Sequence, residues 1–176
     1  MLELIPIDES TLLEVADYKE EFVLNHEIIH GGAGLDLYDD LTQWLAALND
    51  NAHPETLRPN RVTASTYLAR RKEDCKIVGI IDIRHYLNNY LLLYGGHIGY
   101  SIRKSERRKG YAKEMLGLAL KKCESLGIDK VLITCDKENP ASARTILANG
   151  GVLENEIMHE DKLMQRYWIQ LKKENI

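Results

Sequence analysis

The chain has 176 residues, of which 44% are hydrophobic and 28% charged, a balance typical of a globular protein rather than a disordered or fibrous one. A net charge of -4 argues against a protein that wraps nucleic acid, because such proteins need a basic surface. The three cysteines are widely spaced, which argues against a disulfide framework. The N-terminus is acidic, which argues against a secretory signal, and no long apolar segment is present that could span a membrane. We therefore expect a cytoplasmic monomer or homodimer that binds neither nucleic acid nor membranes.

The first 60 residues predict a strand followed by two helices. An amphipathic helix is expected over about residues 11–29, then a glycine turn and a second helix over about residues 38–48. Residues 49–60 contain several Asn, Asp and Pro residues, and this composition predicts a loop.

The first predicted helix contains the pattern H-E-x-x-H, formed by His26, Glu27 and His30. On a helix, this spacing places two imidazoles on one face as zinc ligands, with the glutamate as the base of a hydrolase. However, Gly31 and Gly32 follow directly and are typical of a helix end, and so short a pattern often occurs by chance. We interpret the segment as a polar helix end without a metal, and a zinc hydrolase is a remote alternative.

From Arg61 onward the hydrophobic pattern changes to that of strands. Residues 62–70 and 76–84 are separated by a polar turn and predict an antiparallel hairpin. A further strand is expected over residues 96–103, where Ile98, Tyr100 and Ile102 alternate with small or polar side chains.

The second half of the chain predicts helices that alternate with strands. After Gly110, apolar residues at helical spacing predict a helix that ends at Gly127. The remaining elements are a strand, a short helix and a closing strand pair, over residues 131–135, 141–148, 152–157 and 163–171. The order β-α-α-β-β-β-α-β-α-β-β predicts an α/β (α+β) fold with a mixed central sheet.

Basic residues crowd the turn between the strand at residues 96–103 and the following helix. They are Arg103, Lys104, Arg107, Arg108, Lys109 and Lys113. A helix N-terminus carries unpaired N–H groups and partial positive charge, so it favours an anion such as phosphate. Gly110 has no Cβ and lets the backbone approach such a ligand. In an acidic protein, this turn predicts a site for a multiply phosphorylated molecule.

This turn resembles the coenzyme A signature of the GCN5-related N-acetyltransferases (GNAT), in which Arg or Gln is followed at the third position by Gly and at the fifth by Gly or Ala. Arg107, Gly110 and Ala112 match it. The resemblance extends over roughly residues 62–158. The strand before the turn resembles the family's fourth strand, whose backbone pairs with the pantetheine arm, and Asn139 and Ser142 lie where the family places an Asn and a small residue.

The resemblance implies a single N-acetyltransferase domain over residues 1–176, with a mostly antiparallel central sheet flanked by helices. Residues 61–171 would form the cofactor-binding core and residues 1–60 the acceptor side. Acetyl-CoA would be the cosubstrate, and a small-molecule or peptide amine the acceptor. The residues implied in cofactor binding are Ile102, Arg103, Arg107, Arg108, Lys109, Gly110, Tyr111, Ala112, Lys113, Asn139 and Ser142.

The resemblance also implies direct transfer, in which the amine attacks the thioester and a backbone N–H near Ile102 stabilises the oxyanion. Two family positions hold other residues here: Ile146 replaces the Tyr that protonates the departing thiolate in many members, and Thr134 replaces the Glu that some use as base. Because the amine must lose a proton, a histidine on a nearby strand is expected to act as base, with His97 and His85 as candidates. A catalytically silent acyl-CoA-binding module is the alternative function.

Overall fold

The computed structural model describes residues 1–171, in which seven strands and four α-helices follow each other in the order predicted from the sequence. The strands are β1 (Leu2–Pro6), β2 (Ala64–Arg71), β3 (Ile77–Arg84), β4 (Ile98–Ile102), β5 (Lys130–Asp136), β6 (Val152–His159) and β7 (Lys162–Gln170). The helices are α1 (Leu12–Leu24), α2 (Leu41–Ala52), α3 (Tyr111–Ser125) and α4 (Pro140–Leu147). Within this part of the chain, none of the helices has the length and apolar character needed to cross a membrane.

The strands form two antiparallel sheets. The first has the order β1-β2-β3-β4 and the second the order β5-β7-β6. The sequence correctly predicts a mixed α/β fold with mostly antiparallel pairing, but it predicts one central sheet. The division falls between β4 and β5.

The first sheet is covered by helices on both faces. On one face, Tyr18 and Phe22 of α1 and Trp44 of α2 pack against Leu68 and Ile80, all of them 2% exposed or less. On the other face, α3 packs its apolar stripe against the same sheet and against β5. Burial from both sides explains why β3 is a nearly continuous apolar run.

Helix α1 is shorter than predicted, since it ends at Leu24 instead of near residue 29. The side-chain amide of Asn25 donates to the Glu21 carbonyl at 2.7 Å, and His26 adopts a left-handed φ of 55°. Both features end a helix. Ile29 then turns into the core with 4% exposure. The H-E-x-x-H residues therefore follow α1 and do not lie on a helix, so the segment interpreted as a polar helix end is a loop after the helix.

Helix α2 lies a few residues later than predicted. Its N-cap is Asp40, whose carboxylate accepts the Thr42 N–H at 2.8 Å, and it continues to Ala52, so the start of the predicted loop 49–60 is helical. The ends of α3 agree with the prediction: Gly110 precedes it with φ 85° and Gly127 follows it with φ 76°.

Candidate active site

Strands β4 and β5 meet at one point near their N-terminal ends. The His97 N–H donates to the Leu132 carbonyl at 2.7 Å, and the Leu132 N–H donates to His97 Nδ1 at 2.9 Å. A Cβ on Gly96 would lie 2.6 Å from the Leu132 carbonyl oxygen, so this approach requires glycine. Beyond this point no ladder joins the two strands in the described part of the chain. A slot therefore opens between their later residues.

The edge of β4 that faces this slot carries free backbone N–H groups. The Arg103 N–H donates to the Val78 carbonyl at 3.0 Å, which fixes the phase of the β3–β4 ladder. Because hydrogen-bonded pairs alternate along an antiparallel ladder, every second N–H of β4 faces β3. The N–H groups of Ile98, Tyr100 and Ile102 point the other way, into the slot.

Arg103 begins the basic turn after β4, and its guanidinium is engaged inside the protein. The residue is 5% exposed and pairs with Asp17 and Glu21 of α1 at 2.7 and 2.5 Å. It therefore ties β4 to α1. A buried guanidinium between two carboxylates is turned away from the solvent, so a role of Arg103 in cofactor binding would fall to its backbone and stays a prediction.

The other charges of the turn divide into paired and free. Arg107 pairs with Glu27, and Lys109 pairs with a buried glutamate at 2.8 Å. Within residues 1–171, Arg108 and Lys113 make no ion pair. Lys104 makes no ion pair in this part of the chain either, but its Nζ donates to the Asn25 side-chain oxygen at 2.8 Å. The positive charge of the turn that has no such partner there is therefore on Arg108 and Lys113, on both sides of Gly110.

The start of α3 is open to a ligand. A Cβ on Gly110 would meet no atom of residues 1–171 within 4 Å, and the first N–H groups of the 15-residue helix adjoin this space. A groove continues from Gly110 along α3, where Lys113, Gly117, Lys121 and Asn149 are among its lining residues. Backbone donors, the positive end of the helix dipole and two lysines thus converge on one surface, and this arrangement fits a phosphorylated molecule such as coenzyme A.

Tyr111 and Ala112 can contribute to this surface through their backbone N–H groups. The Tyr111 hydroxyl accepts from Arg71 Nη1 at 3.1 Å. The side chains of Tyr111 and Ala112 pack against the core. Their side chains therefore secure the first turn of α3.

On the other side of the slot, the start of α4 brings together two residues of the sequence prediction. Asn139 is the N-cap and accepts the Ser142 N–H at 3.2 Å. The Ser142 hydroxyl lies 2.9 Å from the hydroxyl of Tyr100, which reaches over from β4. Burial raises the pKa of Tyr100 to about 12. Sequence reasoning missed this hydroxyl, although the alternation of β4 placed Tyr100 on the apolar face with Ile98 and Ile102.

The two positions that differ from the family pattern are filled by structural residues. Ile146 is fully buried in the core, and the Thr134 hydroxyl donates to the Tyr94 carbonyl at 2.7 Å. Neither side chain is available for proton transfer.

His97 is held at the junction of β4 and β5. It is 6% exposed, and burial together with the nearby Arg84 lowers its pKa to about 4. The imidazole is therefore neutral at pH 7, with Nδ1 accepting from Leu132. Its role as base stays a prediction, and Nε2 is the nitrogen that could fill it.

His85 follows β3 directly and is bonded through both nitrogens. Nε2 lies 2.8 Å from the Ser65 hydroxyl and Nδ1 lies 3.0 Å from the Thr63 hydroxyl. Burial lowers its pKa, and the charge of Asp82 opposes this shift. Its role as base also stays a prediction.

The H-E-x-x-H segment lies beside the slot. Glu27 pairs with Arg107 at the basic turn, and the hydrogen bond to Arg107 lowers the pKa of this glutamate. A few residues later, Gly31 touches β4 at Gly99. The described residues contain no cluster of three His, Cys, Asp or Glu side chains that could hold a metal. The segment thus runs from the basic turn to the middle of β4.

Comparison of the sequence with known protein families shows the family to which the chain belongs. Residues 14–152 match the family model described as "Acetyltransferase (GNAT) domain". No curated protein sequence matches the chain.

Solved acetyltransferase structures share this fold over almost the whole chain. The ribosomal-protein-S5-alanine acetyltransferase from Vibrio fischeri is 16% identical, with 96% of this chain and 92% of that chain covered and a TM-score of 0.71. A mutant of the spermidine N-acetyltransferase from Vibrio cholerae is 14% identical (97% and 95% covered, TM-score 0.66). A putative acetyltransferase from Salmonella typhimurium, solved with its cofactor acetyl-CoA, is 11% identical (99% and 96% covered, TM-score 0.63). At these identities the likeness shows the fold alone.

Proposed function

Because the chain belongs to the GNAT acetyltransferase family, a class of acetyl-CoA-dependent enzymes, we propose that it moves the acetyl group of acetyl-CoA directly to a primary amine. The observation that carries this proposal is the slot between β4 and β5, which leads from free backbone N–H groups on β4 to the N-terminus of α3 at Gly110.

In this proposal the basic turn and the slot hold the cosubstrate. The pyrophosphate lies at the first N–H groups of α3, over Gly110, and Arg108 and Lys113 supply the unpaired positive charge. The pantetheine arm follows the edge of β4 through the slot. Asn139 and Ser142 form the opposite wall at the start of α4.

At the carbonyl carbon the transfer forms one bond and breaks one, and one proton moves from nitrogen to sulfur. The amine nitrogen attacks the thioester carbonyl carbon, the C–S bond breaks, the nitrogen gives up a proton and the thiolate takes one. A preorganised N–H directed at the carbonyl oxygen is worth on the order of 10² to 10³ in kcat. We assign this donor to the backbone N–H of Tyr100. The other candidate, Ile102, lies next to the basic turn, since its carbonyl accepts from Arg107 Nε at 2.9 Å, and so belongs to the phosphate end of the slot.

The Tyr100 side chain supports the departing thiolate in this proposal. Its raised pKa keeps the hydroxyl protonated at neutral pH, so it is a hydrogen-bond donor on the wall of the slot. This role belongs to a β4 residue because the corresponding position on α4 holds the buried Ile146.

The acceptor enters from the side of residues 1–60. Solved structures of the same fold include enzymes whose descriptions name spermidine and a ribosomal protein, so a polyamine and a peptide amine are the acceptor classes to test first. We place the reaction in the cytoplasm, which suits the three free thiols of the described chain. A monomer or homodimer is expected.

The second candidate is an acyl-CoA-binding module without catalysis. The observation in its favour is that Ile146 and Thr134 occupy the positions where the family resemblance implies an acid and a base.

A screen of amines with thiol detection separates the two. Purified protein with acetyl-CoA is given a polyamine, a peptide with a free N-terminus or a peptide whose single amine is a lysine, and products are identified by mass spectrometry. The proposal requires steady thiol release and an acetylated product with at least one of them. Binding of acetyl-CoA without turnover of any amine would support the silent module, and no binding would contradict both.

A further inference from the structure

A backbone contact joins the glycine turn after α1 to the middle of β4. Gly31 has φ 71°, and a Cβ there would lie 2.1 Å from the Gly99 carbonyl oxygen and 2.4 Å from the Tyr100 nitrogen. In the reverse direction, a Cβ on Gly99 would lie 3.2 Å from the Gly31 Cα. Gly31 therefore lies directly against the peptide group between Gly99 and Tyr100, and only the absence of side chains on both sides permits this approach.

The turn that makes this contact is packed from behind. Ile29 before it and Leu35 after it are buried at 4% and 0% exposure. The buried indole N–H of Trp44 donates to the Gly32 carbonyl at 2.9 Å. These contacts fix the position of Gly31 against β4.

Arg84 of β3 lies beside the same part of β4. Arg84 pairs with the buried Asp82 at 2.8 Å and donates to the Gly95 carbonyl at 3.2 Å, and its Nη2 lies 3.2 Å from the position that a Cβ on Gly99 would occupy. Gly31 and Arg84 thus cover this part of β4 together, on the face opposite α3.

Resting on the function proposed above, we propose that Gly31 is a positioning residue for acetyl transfer. It holds the Gly99–Tyr100 peptide so that the Tyr100 N–H points at the oxygen that becomes negative during attack. A preorganised donor needs no rearrangement during the reaction, and a displacement of about 1 Å at such a site can cost on the order of 10²-fold in rate. Gly31 acts through this peptide and does not touch the substrate.

Three alanine variants separate this role from simple stability. Gly31→Ala places a methyl group in the peptide, whereas Gly99→Ala presses on the same contact from the other side at 3.2 Å. Gly34→Ala is the matched control, because Gly34 has a similar φ of 79° in the same turn but the nearest atom to its Cβ would lie at 3.7 Å. Each variant is compared by thermal unfolding, acetyl-CoA affinity and kcat.

We expect Gly31→Ala to lower kcat on the order of 10²-fold and Gly99→Ala to lower it less, while acetyl-CoA affinity changes by less than about threefold. Gly34→Ala should keep kcat within about twofold, although its backbone strain is similar. An unchanged kcat in Gly31→Ala, or an equal loss in Gly34→Ala, would overturn the proposal. If Gly31→Ala does not fold, kcat of Gly99→Ala is used in its place, and an unchanged kcat in that variant would overturn the proposal.

A second readout does not depend on turnover. In isotope-labelled wild-type protein, the Tyr100 amide signal should differ between the coenzyme A and acetyl-CoA complexes, and Gly31→Ala should remove this difference. If no amine is acetylated, the function proposed above fails, yet this signal still tests the contact. An identical Tyr100 signal in the two wild-type complexes would overturn the proposal.

Discussion

Gly96 and Gly110 fix the two ends of the slot, and they differ in how well the sequence reveals them. Gly110 belongs to a local pattern with Arg107 and Ala112, so the start of α3 could be predicted from neighbouring residues and a phosphate site could be proposed there. Gly96 is required by the Leu132 carbonyl, which is distant in the sequence. A contact of this kind leaves no local pattern.

Charged residues show the same limit. The sequence places six basic residues at one turn, but it cannot show which of them have partners in α1 or in the segment after it. Arg103 and Arg107 are paired with carboxylates there, and Arg108 and Lys113 are not. Only the fold separates the charges that hold the turn from those that can bind a phosphate.

His97 leads to a prediction on stability. Its pKa is about 4 in the folded protein and 6.5 for an ordinary imidazole, so protonation favours the unfolded chain. The stability that this histidine contributes is present above pH 6.5 and is lost as the pH falls toward 4. One unit of pKa difference corresponds to about 1.4 kcal/mol.

In His97→Asn the side-chain oxygen can replace Nδ1 as acceptor for the Leu132 N–H, and it does not titrate. Between pH 6.5 and 4.5, the free energy of unfolding measured with urea should therefore fall by about 1 kcal/mol less per pH unit in this variant than in the wild type. His53→Asn, at an exposed histidine after α2, is the control and should follow the wild type. If the free energy of unfolding depends on pH equally in the wild type and in His97→Asn, the buried imidazole is not the cause of the loss of stability.

At the scale of elements, strand and helix identities follow from local patterns, whereas several ends do not. The order of all eleven elements was predictable because apolar residues change from a helical to a strand period near Arg61. Helix α1 ended early because Asn25 and His26 adopt a cap geometry that the amphipathic pattern does not contain. The pattern of apolar residues alone does not give the position of the slot, since that position depends on which strands do not pair.

The β4 edge gives a prediction for hydrogen exchange. The N–H groups of Tyr100 and Ile102 face the slot, whereas those of Gly99 and Ser101 face β3. Without ligand, the first pair should exchange faster than the second. Addition of coenzyme A should slow Tyr100 and Ile102 by about tenfold or more and leave Gly99 and Ser101 nearly unchanged.

Amide exchange followed by NMR measures all four residues in one sample. The amides of β2, which is paired on both sides, serve as an internal control. Equal exchange of all four β4 amides, or a ligand effect that is equally large on β2, would contradict the assignment of the slot as the pantetheine site.

For the whole molecule, the family could be predicted from the sequence and a cofactor site could be proposed from it, but the chemistry between the two sheets could not. The Arg107 to Ala112 pattern predicts an acetyl-CoA enzyme because the proposed phosphate site is one continuous segment. The proposed thioester end brings together the turn at Gly31, strands β3 and β4, and helix α4. Residues so far apart in the chain come together only in the fold, so the Tyr100 hydroxyl and the Gly31 contact had no sequence signal of comparable strength.

The central claim is that acetyl-CoA binds at the start of α3, and calorimetric titration of two valine variants tests it most directly. Gly110 and Gly127 flank the same helix with φ of 85° and 76°, and a Cβ at either would meet no atom of the described residues within 4 Å, so valine strains both backbones alike. We expect Gly110→Val to weaken acetyl-CoA binding by about tenfold or more, equivalent to ~1.4 kcal/mol, because its side chain occupies the space over the helix N-terminus. Gly127→Val should bind like the wild type. If Gly110→Val is folded and binds acetyl-CoA as tightly as Gly127→Val does, the account is contradicted.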